Sequence, residues 1–304
     1  MRHLTSLFEL TPDEVREILA IAVDLKQKLD EDDRPDLLDN RVLIQLFEKP
    51  SLRTRVSFET AMIHLGGTGM FMTCHEAGLD GREALSDVAR VISGYADVVV
   101  LRTFSQTLIE DFATFSYCPV VNGLSDDFHP CQALADVLTI QETFGDLQGK
   151  RLVYVGDGNN VAVSLAIVTS MLGMPMTVST PHGYELDSET LETIKQQFPE
   201  SDVIHVDDPR QAVRNADVIY TDVWASMGQE SESERRKRIF ADYQVNTELI
   251  SAAPEQCRLM HCLPAKRGFE VTDDVLESEA SIIFQQAENR MHLAKGLFAW
   301  LLQD

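Results

Sequence analysis

Two arginines and two hydroxyl residues stand together at the start of a predicted helix, in the stretch FEKPSLRTRVSF at residues 47–58. Arg53 and Arg55 offer forked guanidinium donors, and Ser51 and Thr54 add hydroxyl donors. The first turn of a helix also carries unpaired backbone N–H groups. Because arginine there opposes the helix dipole unless an anion compensates it, the pattern predicts a phosphate site. The alternative is a capped helix with two surface arginines.

Other candidate site residues lie at the ends of predicted strands or the start of a helix. Arg102 ends the strand in ADVVVLRTF, and His129 and Gln132 open the helix in FHPCQALAD. Asp222 follows the strand in DVIYTDV, and Cys262 follows the strand in RLMHCLP. Open α/β sheets bind ligands beyond the carboxyl ends of their strands. Taken singly, a histidine here could cap a helix, and a lone cysteine fits a buried structural thiol.

Taken together and in this order, the motifs resemble those of the aspartate/ornithine carbamoyltransferase family. SLRTR after FEKP is similar to the family's S-x-R-T-R carbamoyl phosphate motif, and HCLPAKRGFEV is similar to the HCLP signature of its ornithine-specific members. DVWASMG resembles the family's loop for the amino acid, and FQQAENRMH completes the set with Arg290. The resemblance covers essentially the whole chain and implies a carbamoyltransferase.

The reaction that the resemblance implies is transfer of a carbamoyl group from carbamoyl phosphate to L-ornithine, giving L-citrulline and phosphate in arginine and citrulline metabolism. The neutral δ-amine would attack the carbonyl carbon directly, with no cofactor, metal ion or covalent intermediate. A free alkylamine has a pKa of about 10.4, and a desolvated, positively lined site favours its neutral form. The resemblance also implies a homotrimer, or a multiple of trimers.

The resemblance implies a role for each residue that stands at a matching position of the family motifs. The residues expected to act in catalysis are Arg53, Arg102, His129, Cys262 and Arg290. The residues expected to bind carbamoyl phosphate are Ser51, Leu52, Arg53, Thr54, Arg55, Arg102, His129, Gln132, Cys262, Leu263 and Arg290. The residues expected to bind ornithine are Asn160, with Asn159 as its alternative, Asp222, Ser226 and Met227.

Two positions depart from the family pattern. Leu52 stands where threonine is common, and its side chain has no assigned contact. Gly78, in HEAGLDGRE, stands where the family often has a glutamine that reaches the phosphate of a neighbouring subunit. A cross-subunit contact from this loop therefore stays open, with His75 and Arg82 as alternative donors.

Short apolar strands alternate with helices along the chain, and these elements must position the site. Thr11 and Pro12 announce a capped first helix, and RVLIQLF (41–47) predicts the first strand. A second strand series begins at RLVYVGDGNN. This alternation predicts an α/β fold of two domains, each a mainly parallel sheet flanked by helices. The resemblance implies that the active site lies in the interdomain cleft. The expected domains are a carbamoyl phosphate-binding domain at 1–134, joined by the C-terminal helix 286–304, and an ornithine-binding domain at 135–285.

The composition indicates a globular protein with no nucleic-acid or membrane partner. The 304 residues include 26 Lys and Arg against 49 Asp and Glu, a formal net charge of −23 that disfavours both polyanions. Five cysteines without CxxC spacing predict neither a disulfide framework nor a structural zinc site. The chain shows no signal peptide and no apolar run of membrane-spanning length, so we expect a cytoplasmic protein.

Two further stretches have features of other roles. GDGNN (156–160) is similar to a dinucleotide fingerprint, but Val161 replaces its third glycine and no acidic residue ends the next strand, which disfavours a nucleotide-binding oxidoreductase. ESESERRKR (230–238) predicts a solvated helix with an i,i+4 pair between Glu232 and Arg236.

Other functions remain open beside the ornithine reaction. Aspartate as the second substrate is disfavoured, because HCLPAKR replaces an HPLPR-like signature. A carbamoyltransferase for putrescine or acylated ornithine, or a non-catalytic anion-binding paralogue, is the alternative. The sequence does not decide between an anabolic and a catabolic role.

Overall fold

The computed structural model describes residues 1–225 and 230–303, and the chain folds as two compact units. Unit 1 comprises Met1–Leu138 and the segment from Glu288 onward, and unit 2 comprises Thr139–Ala287. The strands are β1 Val42–Phe47, β2 Thr68–Thr73, β3 Val98–Arg102, β4 Val120–Leu124, β5 Leu152–Val155, β6 Met176–Ser179, β7 Val203–His205, β8 Val218–Thr221 and β9 Arg258–His261.

Helices connect these strands within the described residues. They are α1 Pro12–Asp30, α2 Leu52–His64, α3 Leu85–Ser93, α4 Gln106–Phe115, α5 Pro130–Phe144, α6 Asn160–Leu172, α7 Ser188–Gln197, α8 Pro209–Ala212, α9 Ser233–Ile239, α10 Thr247–Ser251, α11 Asp273–Leu276 and α12 Ile283–Leu301. In the same residues, no helix has both the length and the hydropathy that a membrane span requires.

Unit 1 is built on a parallel sheet in the order β2-β1-β3-β4. Phe47 at the end of β1 pairs with Arg102 at the end of β3, so these two strands end at the same level. The strand order reverses direction between β1 and β3. Open α/β sheets form a ligand crevice at such a switch point, beyond the carboxyl ends of the strands.

Unit 2 is built on a second parallel sheet, in the order β7-β6-β5-β8-β9. Val155, Thr221 and His261 lie side by side at the ends of β5, β8 and β9. β5 and β8 are buried throughout, as expected for parallel strands covered on both faces. The predicted α/β architecture of two mainly parallel sheets flanked by helices is confirmed.

The capped first helix is also confirmed. The Thr11 hydroxyl accepts from the Glu14 backbone N–H, and the Glu14 carboxylate accepts from the Thr11 backbone N–H, which forms a capping box. Val15, Ile18 and Leu19 are buried as the helical spacing predicts.

Strand β2 was not predicted from the sequence. Its residues TGMFMT include glycine and two methionines, and none of them is fully buried because β2 is an edge strand. A half-exposed strand without a β-branched run gives little periodic signal.

Candidate active site

The predicted phosphate motif forms the start of helix α2. Ser51 is the N-cap residue, and its hydroxyl accepts from the Thr54 backbone N–H at 3.2 Å. Pro50 lies just before the cap. The helix begins shortly beyond the carboxyl end of β1, so its first-turn N–H groups lie at the switch point of the unit 1 sheet.

The two arginines of the motif differ in their surroundings. The Arg55 guanidinium is exposed, lies 3.9 Å from the centroid of the Phe71 ring, and has its Nε 3.7 Å from Glu59. Arg53 is half-buried, whereas Leu52 is 74% exposed. The Arg55 guanidinium thus has an aromatic ring and a carboxylate beside it. A phosphate role for Arg55 stays a prediction.

Thr54 is the centre of a buried polar cluster in unit 1. Its hydroxyl accepts from Arg102 Nη1 at 3.2 Å and from Arg290 Nη2 at 3.3 Å. Arg290 also donates to Gln132 Oε1, and Gln132 Nε2 donates to Asp136 Oδ1 at 2.8 Å. Helices α2, α5 and α12 and the end of β3 thus bring together side chains that are far apart in sequence.

His129, just before α5, is buried in the same unit. Burial lowers the pKa of its imidazole well below the usual value, and the positive charges of Arg290 and Arg102 lower the pKa further. The ring is therefore neutral at neutral pH and has one N–H to donate.

This cluster suits an anion with a polar carbonyl. Two buried guanidinium groups share one neutral hydroxyl, so an anion bound beside them would gain charge-assisted hydrogen bonds. A neutral imidazole and a threonine hydroxyl can donate to a carbonyl oxygen that gains negative charge.

Unit 2 has its own polar cluster at the carboxyl ends of β5, β8 and β9. Asp222, which directly follows β8, is 6% exposed. It accepts from Asn159 Nδ2 at 2.8 Å and from the Cys262 thiol at 3.0 Å. A buried carboxylate at a strand end is suited to bind an ammonium group.

Asn159, the alternative to Asn160, contacts Asp222. Asn159 caps α6, and its Oδ1 accepts from the backbone N–H groups of Val161 and Ala162 and from the Tyr154 hydroxyl. Asn160 is the first residue of the helix and is partly exposed. An ornithine contact by Asn160 stays a prediction.

Packing explains the two glycines of GDGNN. Gly156 has φ +148°, a conformation that disfavours a side chain. A Cβ at Gly158 would lie 2.7 Å from the backbone atoms of Tyr184 and Glu185. The turn therefore needs glycine at both positions without any bound nucleotide.

The HCLP segment is held by a buried histidine. His261 Nδ1 accepts from the Leu263 backbone N–H at 2.9 Å, and its Nε2 lies 3.1 Å from Glu270 Oε1. Because Nδ1 accepts, the ring proton is on Nε2 and points to the carboxylate. Leu263 has φ +56° and a cis bond to Pro264.

Asp222, His261 and Cys262 also form a group that could hold a metal ion, since one ligand atom from each lies within 4.8 Å of the others. Both ring nitrogens of His261 already take part in hydrogen bonds, and the Cys262 thiol donates to Asp222. A metal ion would have to displace these hydrogen bonds, so the group suits a role without metal better.

Each unit thus brings together part of the predicted site. Unit 1 gathers Thr54, Arg102, Gln132 and Arg290 in one hydrogen-bonded cluster, with the buried His129 close to both arginine charges. Unit 2 gathers Asp222 and Cys262. The predicted ornithine-binding residues Ser226 and Met227 lie outside the described residues.

Two polar residues near the unit 2 cluster were missed. Arg236 is buried and bonds to the Asp157 carboxylate at 2.6 Å, although its charge run predicts a solvated helix. The prediction was wrong for this residue and right for Arg235 and Arg238, which are exposed. Its pairing with Glu232 at 3.0 Å was predicted. An aspartate between the glycines of a strand-end turn is the sequence signal that could have suggested a buried cationic partner.

The loop around Gly78 is the departure from the family pattern noted above. Gly78 has φ +81°, so it is a turn residue. The His75 side chain pairs with Asp80 at 2.5 Å, and Arg82 bonds to Glu83 at 3.2 Å, within the loop itself. A contact from either residue to a neighbouring subunit stays a prediction.

Family models match both parts of the chain. The model "Aspartate/ornithine carbamoyltransferase, carbamoyl-P binding domain" matches residues 2–142. The model "Aspartate/ornithine carbamoyltransferase, Asp/Orn binding domain" matches residues 148–301.

Similar proteins align over almost the full length. Ornithine carbamoyltransferase from Pyrococcus abyssi is 48% identical over 99% of this chain and 96% of its own. A relative from Pyrococcus furiosus, described as anabolic, is 47% identical over the same shares. The solved ornithine carbamoyltransferase from Pyrococcus furiosus superposes with a TM-score of 0.96 at 46% identity, covering 99% of this chain and 97% of its own.

Proposed function

This chain belongs to the aspartate/ornithine carbamoyltransferase family and is a carbamoyltransferase, and we propose that it carbamoylates the δ-amine of L-ornithine. The observation that carries the choice of amine is the buried Asp222 carboxylate at the end of β8, with Asn159 and Cys262 bonded to it. An amino acid with a free α-ammonium supplies the charge that this carboxylate requires.

The unit 1 cluster binds carbamoyl phosphate. Its phosphate takes hydrogen bonds from the first turn of α2, from Ser51 and from Arg53. Its carbonyl oxygen accepts from Thr54, Arg102 and the neutral His129. Gln132 orients its amide group, and Arg290 stabilises negative charge.

Transfer is a direct displacement. The δ-nitrogen lone pair forms a bond to the carbonyl carbon, the bond from that carbon to the phosphate oxygen breaks, and phosphate leaves with its electron pair. The attacking nitrogen releases one proton, which the departing phosphate takes up, so the products are the ureido group and hydrogen phosphate. Catalysis comes from orientation of the two substrates and from donors aimed at the developing charge.

The test is a substrate panel with the purified protein and carbamoyl phosphate. Ornithine, putrescine, N-acetylornithine and aspartate are compared, and both the ureido product and released phosphate are measured. We expect turnover with ornithine at least about 100-fold above N-acetylornithine, because acetylation removes the α-ammonium that would pair with the buried Asp222 carboxylate. Putrescine keeps an ammonium at that position and lacks only the α-carboxylate, so its rate shows whether the carboxylate is recognised as well. Faster turnover with putrescine or acetylornithine would overturn the choice of ornithine, and no turnover with any amine would favour an anion-binding paralogue.

We also propose that the enzyme is a homotrimer that works in arginine biosynthesis. Exposed apolar side chains on α2 (Leu52, Val56 and Ile63) and Met70 on the edge strand β2 support a contact between copies through this face of unit 1. Analytical ultracentrifugation of the wild type and of Ile63→Lys tests the assembly. A monomeric wild type would contradict it, and we expect the charged variant to dissociate.

A further inference from the structure

Arg236 is a buried cation in an otherwise solvated helix. It is 7% exposed, whereas its neighbours Arg235, Lys237 and Arg238 on α9 are exposed. A buried guanidinium needs several oriented acceptors to offset its desolvation.

Three acceptors surround its guanidinium. Nη1 donates to Asp157 Oδ2 at 2.6 Å and to the backbone carbonyl of Trp224 at 2.8 Å, and Nε donates to Glu232 Oε2 at 3.0 Å. The guanidinium carbon lies 5.0 Å from the centroid of the Tyr184 ring. Only a planar fork can serve acceptors in these several directions at once.

Two of these acceptors belong to the segments that carry the unit 2 cluster. Asp157 lies two residues before Asn159, beyond the end of β5, and Trp224 lies two residues after Asp222, beyond the end of β8. Asn159 and Asp222 are hydrogen-bonded to each other at 2.8 Å. Arg236 therefore makes a second link between the segment that follows β5 and the segment that follows β8.

We propose that Arg236, through Asp157 and the Trp224 carbonyl, is a positioning residue that holds Asn159 and Asp222 in register for the α-amino group of the amino-acid substrate. The proposal rests on the function proposed above. Arg236 does not itself contact the substrate. Its removal lets the two strand-end segments move apart, which weakens the site for the amine and leaves the carbamoyl phosphate cluster of unit 1 unchanged.

Steady-state kinetics of Arg236→Met tests the proposal. We expect the KM for ornithine to rise by about 10- to 100-fold, the range for loss of charge-assisted hydrogen bonds. The KM for carbamoyl phosphate should change by less than about twofold. Arg236→Lys, which keeps the charge but loses the fork, should recover part of the effect.

Two further variants provide a control and a second, independent measurement. Arg235→Met, on the same helix with an exposed side chain, is the matched control and should leave both KM values unchanged. Asp157→Asn should also raise the KM for ornithine, and the double variant Asp157→Asn/Arg236→Met should be no worse than Arg236→Met alone. Asp157→Asn carries the test if Arg236→Met does not fold.

The outcomes are distinct. An unchanged KM for ornithine in Asp157→Asn and in folded Arg236→Met, or an equal rise in both KM values, would overturn the proposal. If the wild type proves to use another amine, the function proposed above fails, and the same variants are then measured with that amine. A selective rise in its KM would still support the positioning role.

Discussion

Thr54 holds its hydroxyl between two guanidinium groups, from Arg102 and from Arg290. A single neutral acceptor thus orients two cations from distant parts of the chain. Asp222 plays the corresponding part in unit 2, where its carboxylate accepts from an amide and from a thiol. At the residue scale, the proposed function depends on Thr54 and Asp222, because each fixes the direction of groups that this function assigns to substrate binding.

Replacement of Thr54 tests the first of these two residues. Thr54→Val keeps the shape but removes the shared acceptor, so we expect kcat/KM for carbamoyl phosphate to fall by about 10- to 100-fold. Ser57→Ala, which removes a hydroxyl that bonds to the Thr54 carbonyl, serves as the control and should change kcat/KM by less than about threefold. Equal values for Thr54→Val and wild type would show that the orientation of the arginines does not depend on this hydroxyl.

Replacement of Asp222 tests the second of these two residues. Asp222→Asn removes the charge but keeps the size, and we expect kcat/KM for ornithine to fall by about 100-fold or more. The KM for carbamoyl phosphate should stay within about threefold. Asp217→Asn, at the opposite end of β8, is the matched control. A similar loss for both substrates would argue against an ammonium partner for Asp222.

At the element scale, helix α12 packs unusually close to α1. A Cβ at Gly296 would lie 2.7 Å from the Ile18 carbonyl oxygen and 2.8 Å from Ala22 atoms. The same helix carries Arg290 into the unit 1 cluster and buries His292. The close approach of two backbones thus fixes the position of a site residue less than two turns away.

Gly296→Ala tests this packing. Because the clash is with backbone atoms that cannot rotate away, we expect a loss of about 1–3 kcal/mol in the free energy of unfolding. The control is Gly94→Ala, at the end of α3, where the nearest atoms would lie 3.3 Å from the new Cβ. Chemical denaturation of both variants gives the comparison, and equal stability of Gly296→Ala and wild type would contradict the close packing.

Acid sensitivity provides a second test on α12. Burial, with help from the Lys295 charge, lowers the pKa of His292 from its usual 6.5 to about 4. The unfolded chain therefore binds a proton between pH 6.5 and 4 that the folded chain does not, so stability falls as pH falls through this window. We expect His292→Gln to reduce this loss by up to about 3 kcal/mol.

The control for the acid test is His182→Gln, because the His182 side chain is fully exposed. Urea unfolding at pH 7, 5.5 and 4 measures the slope of each variant. The same slope for His292→Gln and wild type would contradict a buried neutral histidine.

At the scale of the whole molecule, the net charge of −23 has the opposite sign to the buried arginines of the predicted site. The acidic surface repels itself and repels an anionic substrate, so the concentration of positive charge at the α2 entrance must act locally. The two units hold buried charges of different sign: unit 1 brings two arginines together, and unit 2 buries the Asp222 carboxylate.

Salt should therefore stabilise the protein. Raising NaCl from 0.05 to 1 M shortens the Debye length to about 3 Å and screens the surface repulsion. We expect the Tm to rise by about 2–4 °C, equivalent to about 1 kcal/mol for a chain of this size. Because screening depends on ionic strength, KCl should give the same rise, and a Tm that falls with both salts would contradict the expectation.

Local signals in the sequence are sufficient to predict most helices and strands and the kinds of residue at their ends. Apolar runs, the Thr11 cap and the motif around Arg53 depend on neighbours a few residues away. They predict the α/β architecture, the family and most of the residues at the strand ends. Strand β2 is not predicted, because its position at the sheet edge leaves only a weak hydrophobic pattern.

Which polar residues meet is a property of the tertiary structure alone. Arg236 is buried and Arg235 exposed in one charge run, because the partner of Arg236 is Asp157, 79 residues away. Asn159 bonds to Asp222, 63 residues away, because it caps α6 and so lies at the strand-end turn. Thr54 bonds to Arg290, 236 residues distant, because α12 returns to pack in unit 1. Burial and hydrogen bonding depend on residues brought together by packing, and no local pattern encodes them.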